Sequence, residues 1–451
     1  MAQLKDDCFA FGGDLMPLAD ALAQLQGRVA AVAKTEVVTL RQCLGRILAE
    51  DIVAGVNVPP HDNSAVDGFA VYFDDLDADA DTRLPVGGRI AAGHPLDGPA
   101  DRGHAYQIFT GAPMPVGDDG TQNSGPDTIF MEEDCSVDGD AVILPAGLKK
   151  GSNRRFKAED VAAGATIITV GKRLRAQEIG LAASTGRAQL TVFKRLRVAV
   201  FSTGDEVRDP GHGREGGEAP DGCIYDANRY AIMALLEGLG ADVTDLGILQ
   251  DDVGVIAKAL EAAQADHDLL VTSGGVSAGE EDHVRDAVAS LGQIHFWRLA
   301  IKPGRPIALG HVGGHVGGQA GGQAGGQAGG EAGGTAFLGL PGNPVAAMVT
   351  FMIIGRPLVL LLSGATESGG QRYPVVAGFD YTKKKGRREW ARVKLKINGE
   401  GLPVAMKHHS SGAGILTSMV DADGLIELPE DTETMKKGAM VDFLPFTEVT
   451  G

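Results

Sequence analysis

From Leu196 to about Leu362, short apolar runs alternate with stretches of helical period. The runs at Leu196–Phe201, Asp242–Gly247, Leu269–Thr272, Phe296–Leu299, Ile307–Leu309 and Ala336–Leu340 are bounded by turn residues and predict strands. Asn228–Leu239, Val253–Gln264, Asp282–Leu291 and Val345–Met352 repeat apolar positions every three to four residues and predict helices. Strands alternating with helices at this spacing imply a doubly wound, mainly parallel α/β domain over 194–363, with helices on both faces of the sheet.

The flanking chain has other periods. Residues 14–58 read as a helix with Leu18, Leu22 and Leu25 on one face, a short strand near Val37, a second helix around Leu44 and extended chain to Pro59-Pro60. Between 60 and 150 the pattern is short β runs (Gly68–Tyr72, Tyr106–Phe109, Thr128–Met131, Ala141–Leu144) broken by Gly, Pro and Asp. A helix is predicted from Ala176 to Thr185, and residues 364–451 carry β signals without a long helix. Four units follow: a discontinuous mixed α+β domain (1–58 plus 151–193), a small acidic β-rich domain (59–150), the α/β domain (194–363) and a C-terminal β domain (364–451).

One segment obeys neither period. Residues 311–334 are six copies of a four-residue unit, HVGG HVGG QAGG QAGG QAGG EAGG. Such a tract has no apolar face with which to offset its ordering entropy, so it predicts a flexible insert in place of a turn between two neighbouring strands. His311 and His315 could take a stray metal, but the simpler expectation is a surface loop.

Composition narrows the class. The 451 residues are 43% hydrophobic and 22% charged, ordinary for globular domains. No run approaches the ~20 unbroken apolar residues that span a bilayer, and the N-terminus lacks a basic region followed by an apolar stretch. Cys8, Cys43, Cys135 and Cys223 lie far apart with no C-x-x-C. These features predict a cytoplasmic protein without membrane segments or a disulfide framework. The net charge of -18 disfavours nucleic acid, whose phosphates need clustered cations. The charge is uneven: 60–150 holds 17 acidic and 5 basic side chains, whereas Lys383, Lys384, Lys385, Arg387, Arg388, Arg392, Lys394 and Lys396 crowd one short stretch. That stretch reads either as a solvated strand face or as an anion site.

Candidate chemistry gathers behind the strands of the α/β domain, where open parallel sheets bind ligands. Ser202-Thr203-Gly204-Asp205-Glu206 follows the first strand, and Ser273-Gly274-Gly275, continuing through Ser277 and Gly279 to Asp282, follows the third. Pro341-Gly342-Asn343-Pro344 follows the last. Glycines let backbone N–H groups approach an oxyanion, hydroxyls add donors, and a helix N-terminus favours negative charge, so the three loops predict a phosphate or similar site. Lys302-Pro303-Gly304-Arg305-Pro306 adds fixed cations on a proline-stiffened loop. Asp205, Glu206, Asp226, Asp251 and Asp282 would share the crevice, with Mg²⁺ as mediator between acids and phosphate, although Asp226 could equally cap the following helix. No P-loop or H-E-x-x-H is present. Gly275-Val276-Ser277-Ala278-Gly279 matches G-x-S-x-G, but its serine falls too far from the strand end for a nucleophile elbow.

Pro59-Pro60-His61-Asp62-Asn63-Ser64-Ala65-Val66-Asp67-Gly68-Phe69-Ala70-Val71 closely resembles the signature of the molybdopterin molybdenumtransferases, which insert molybdenum in the last step of molybdenum cofactor synthesis and include the larger domain of gephyrin. Thr110–Pro115, Ser202–Glu206, Thr272–Asp282, Lys302–Pro306 and Leu340–Pro344 match in the family's order, so the resemblance runs from about residue 15 to 447. It implies an elongated four-domain homodimer, with the active cleft between the acidic domain of one subunit and the α/β and C-terminal domains of the other. It implies that adenylyl-molybdopterin and molybdate give molybdenum cofactor and AMP with Mg²⁺, downstream of a molybdopterin adenylyltransferase. Matched by position, Asp67, Thr110, Asp160, Glu206, Asp251 and Asp282 are the functional acids and hydroxyl, with Glu206, Asp251 and Asp282 as metal ligands. Lys302, Arg305, Pro306 and Pro341 through Pro344 match the anion-binding loops, and Arg387 or Arg392 would help hold molybdate. Arg305 departs from the lysine of many members, and the loop Ser410-Ser411-Gly412-Ala413-Gly414 departs from those relatives with a serine near its end. Two other readings stay open. A gephyrin-like scaffold would not need the matched acids, and a molybdopterin adenylyltransferase would need only the α/β module.

Overall fold

The computed structural model describes residues 15–211, 219–275, 283–313 and 334–450. At its centre is a six-stranded sheet in the spatial order Asp242–Leu249, Arg197–Thr203, Leu269–Ser273, Thr335–Leu340, Pro306–Val312, Gly292–Arg298. The first four strands are mutually parallel, and Pro306–Val312 runs antiparallel to both of its neighbours. Strand alternation divides the apolar side chains between two cores. Val198, Val200, Val271 and Leu338 meet the helix Ala227–Gly238 and the long helix after Asn343. Ala199, Phe201, Leu270 and Phe337 meet Val253–Ala263 and His283–Leu291 on the other face. This is the doubly wound, mainly parallel domain that the periodicity implies. Each fully buried Val, Leu or Phe here contributes roughly 1.5–3 kcal/mol.

The helix expected over Val345–Met352 is longer. Pro344–Thr350 continues through a π turn, Phe351–Gly355, into Arg356–Leu362. The π turn accommodates Pro357, which has no N–H to continue the ladder. The resulting 19-residue helix, with mean hydropathy 2.2, is long and apolar enough to cross a membrane by length and composition, although Thr350, Gly355 and Arg356 interrupt its apolar run. It is 89% buried and serves as the central core helix.

The C-terminal sheet closes on itself. Arg388–Ile397 pairs with both Pro403–Lys407 and Gly424–Leu428, and Tyr373–Ala377 and Met440–Pro445 complete a five-stranded barrel. A sixth strand, Ile301–Lys302, comes from the α/β domain and pairs in parallel with Arg388 and Glu389.

Before residue 194, Thr35–Thr39 pairs with Gln189–Phe193 and Ile52–Val53 with Thr166–Ile168, around a core of Val38, Leu48, Ile52, Ile168, Leu174 and Val192. The acidic segment forms a six-stranded sheet, in which Thr82–Ile90 is a strand the sequence did not predict. The second helix expected around Leu44 is only a single 3₁₀ turn, Leu40–Gln42, and Leu44 is 66% exposed. The first helix, Leu18–Arg28, packs Leu18, Ala21 and Leu25 into the α/β core.

Candidate active site

Two loops at the carboxyl ends of the parallel strands are tied together by one side chain. Asn228 Nδ2 donates to Ser273 Oγ and to the Gly342 carbonyl, both at 2.7 Å. Ser273 Oγ in turn donates to the Pro341 carbonyl at 3.1 Å, and the Gly274 N–H to the Leu340 carbonyl at 3.0 Å. Gly274 adopts φ +89, which a side chain would strain. Asn228 carries no sequence signal beyond its place in the first turn after Asp226.

Asp226 itself caps the helix Ala227–Gly238, accepting from the Arg229 N–H at 3.1 Å and from Arg229 Nε at 2.9 Å. Arg229 is fully buried and also reaches Asp209 and Asp245, so Asp226 belongs to a structural ion network. Removing one partner of such a network costs about 3–5 kcal/mol.

A cavity of about 710 Å³ opens where these loops meet the C-terminal barrel. Glu206, Gly274, Gly275, Pro341, Gly342 and Asn343 form its α/β wall, and Lys302 through Pro306 form its edge. Tyr381, Arg387, Glu389, Arg392, Lys407, Ser410, Ser411 and Ala413 come from the barrel. Two connections fix the walls together: the Ile301–Lys302 strand pairing and a bond from the Val345 N–H to the Ala413 carbonyl at 2.9 Å. Five cationic side chains line the cavity against two carboxylates, in a chain of net charge -18. That sign favours an anion.

Glu389, only 1% exposed, organises the cations. Its carboxylate accepts from Arg387 Nε at 2.6 Å and from the Tyr381 hydroxyl at 2.9 Å, and lies 3.4 Å from Lys302 Nζ. Burial pushes this carboxyl up, but the bonds from Tyr381 and Arg387 and the charge of Lys302 outweigh it and hold it below the usual range. Burial, then the bond to Glu389, pushes the Tyr381 hydroxyl up to about 12. Arg392 is buried and donates through Nη2 to the carbonyls of Ser410 (3.1 Å) and Gly412 (3.2 Å), shaping the loop that faces the cavity. The basic stretch therefore divides: Lys384, Lys385, Lys394 and Lys396 are exposed, whereas Arg387, Arg392 and Lys383 turn inward. Tyr381, Glu389 and Lys407 have no sequence signal beyond proximity to that stretch.

Other expected residues lie elsewhere. Ser202 and Thr203 are buried at the strand end, where Thr203 Oγ1 donates to Asp251 at 3.0 Å, and His283 Nδ1 stands 3.2 Å from the same carboxylate. Gly204 turns the chain at φ +131 beside the Glu206 carboxylate, while Asp205 is exposed. Arg305 is exposed at the cavity edge, and Pro344 starts the core helix. Asp67 accepts from both the N–H and the hydroxyl of Thr110 at 2.7 Å, and these bonds hold its carboxyl below the ordinary value. Asp67, Thr110 and the exposed Asp160 belong to the part of the chain before the α/β domain and do not line this cavity. Ser277, Gly279 and Asp282 lie outside the described residues, as does most of the repeat. Among the described residues no three His, Cys, Asp or Glu side chains gather as metal ligands, and Asp282, the third expected Mg²⁺ ligand beside Glu206 and Asp251, lies outside them.

Three family models cover the chain: "MoeA N-terminal region (domain I and II)" over 16–186, "Probable molybdopterin binding domain" over 199–360 and "MoeA C-terminal region (domain IV)" over 374–446. A molybdopterin molybdenumtransferase of Haemophilus influenzae is 33% identical over 97% of this chain and 100% of its own. One of Nostoc is 32% identical over 91% and 89%. A molybdopterin biosynthesis moeA protein from Pyrococcus horikoshii superposes with TM-score 0.75 at 25% identity, covering 96% of this chain and 100% of its own. By domain content, sequence and fold together, this chain belongs to the molybdopterin molybdenumtransferase family.

Proposed function

We propose that the protein is a molybdopterin molybdenumtransferase, inserting molybdenum from molybdate into adenylyl-molybdopterin with release of AMP. The observation that carries this reading is the cationic cavity built jointly by the glycine loops and the barrel. A tetrahedral dianion is matched there by Lys302, Arg305, Arg387 and Lys407, with Ser410 and Ser411 as hydroxyl donors. Arg392 contributes by shaping the Ser410–Gly412 loop. Gly274, Gly275 and Gly342 leave room for a bulky pterin or phosphate to lie against backbone.

The same reading takes the working unit as a homodimer, with Asp67, Thr110 and Asp160 of one subunit completing the other's cleft. It places the protein in the cytoplasm, downstream of an adenylyltransferase. A Mg²⁺ requirement is part of the reading, with Glu206, Asp251 and Asp282 as its carboxylates; it rests on the resemblance alone. Incubation with adenylyl-molybdopterin and molybdate, followed by addition of an apo-molybdoenzyme, tests the function. Reconstituted enzyme activity is expected, and its absence despite intact substrate would refute the reading.

A further inference from the structure

Glu389 sits where the α/β domain and the barrel share a strand pairing, opposite Lys302 in register. A buried carboxylate in an anion cavity is at first sight adverse, because it repels the ligand. Its contacts point to a compensating role. One oxygen accepts from Arg387 Nε at 2.6 Å. The other accepts from Tyr381 at 2.9 Å and faces Lys302 Nζ at 3.4 Å. Lys407 Nζ lies 5.1 Å from the centre of the Tyr381 ring, so three of the cavity's five cations stand on this one pair.

We infer that Glu389, with Tyr381, is a positioning residue that locks Arg387 and Lys302 into a preset cation pair for a tetrahedral dianion. The inference rests on the anion-binding reading of the cavity. Both groups hold fixed protonation states around neutrality, Glu389 ionised and Tyr381 protonated, so the lock does not titrate with the substrate. Two flexible cations fixed before binding lose less rotamer entropy on capturing the anion than free ones.

The sign of the effect separates positioning from mere counter-charge. Glu389→Gln removes a negative charge from the cavity, so electrostatics alone would tighten molybdate binding. Positioning predicts the opposite. The test is calorimetric titration of molybdate into the full-length wild type, E389Q and Y381F, with thermal melts of each. Tyr381→Phe leaves the charge unchanged and removes one hydroxyl, so it remains informative if E389Q folds poorly. We expect molybdate to bind about tenfold more weakly to E389Q and several-fold more weakly to Y381F, on the scale of lost preorganisation. The KM for molybdate should rise while kcat changes little. Unchanged or tighter binding in folded Y381F, or tighter binding in folded E389Q, would overturn the inference while leaving the function standing. A wild type that binds no molybdate would overturn both.

Discussion

Lys302 and Glu389 belong to different domains, yet they face each other in one parallel strand pairing, with Nζ 3.4 Å from the buried carboxylate. The loop bearing Lys302 is thereby part of the barrel, and the cavity is bounded by two domains that share backbone hydrogen bonds. Its cations are held by covalent position in one domain and by ion pairing to the other.

This arrangement separates function from stability at Lys302. Its side chain is 44% exposed, and ion pairs of that exposure contribute about 1 kcal/mol or less. Lys302→Ala should therefore melt near the wild type, because Glu389 retains Arg387 and Tyr381. Turnover should fall by about a hundredfold, the scale of a lost electrostatic contact to a reacting anion. Steady-state kinetics in molybdate beside a thermal melt check both halves.

Asp67 is held ionised by Thr110 outside the cavity that contains Lys302. If two subunits build each cleft, mixing Asp67→Asn with Lys302→Ala subunits should restore one intact site per heterodimer. Activity should recover to a fraction set by subunit mixing. No recovery in demonstrated heterodimers would mean that the residues serve one subunit's site.

Gly304 makes the Lys302–Pro306 turn at φ +86, and an added Cβ would overlap Thr350 Oγ1 on the core helix. Gly111 has a similar φ of +80 but meets nothing within 4 Å. Gly304→Ala should lower stability by about 2–4 kcal/mol, whereas Gly111→Ala should cost about 1 kcal/mol from backbone strain alone. Chemical denaturation of the pair measures the difference, and equal losses would remove the close approach as the cause.

The strands Pro306–Val312 and Thr335–Leu340 stay in register to the pair Val312 and Thr335. A short turn could close this hairpin directly. Replacing residues 314–333 with an Asn-Gly turn should leave turnover intact and slightly raise the melting temperature, since doubling a loop costs only about 0.6 kcal/mol. A tenfold fall in turnover with an unchanged fold would make the repeat a functional element.

What was legible in the sequence was what periodicity and turn chemistry encode. Buried parallel strands such as Leu269–Ser273 read as apolar runs because both of their faces are covered by helices. Thr82–Ile90 was invisible because Pro85, Gly87 and Gly88 imitate a turn, although the side chain of Tyr106 packs against the two glycines. The end of the core helix was hidden by Pro357, which the π turn accommodates. In the site, glycine loops and Lys302 stand out by composition. Glu389 does not, because an acid within a basic stretch looks like a solvated ion pair until the barrel closes over it. Asn228 is similarly silent, since its role depends on two loops far apart in sequence meeting in space.

The most direct test of the account is AMP release from adenylyl-molybdopterin by the purified full-length protein, with and without molybdate. The account predicts AMP formed together with molybdenum cofactor in equal amounts when molybdate is present, and strongly reduced formation in Lys302→Ala. No molybdate-dependent AMP from intact substrate, or equal release by wild type and Lys302→Ala, would contradict it.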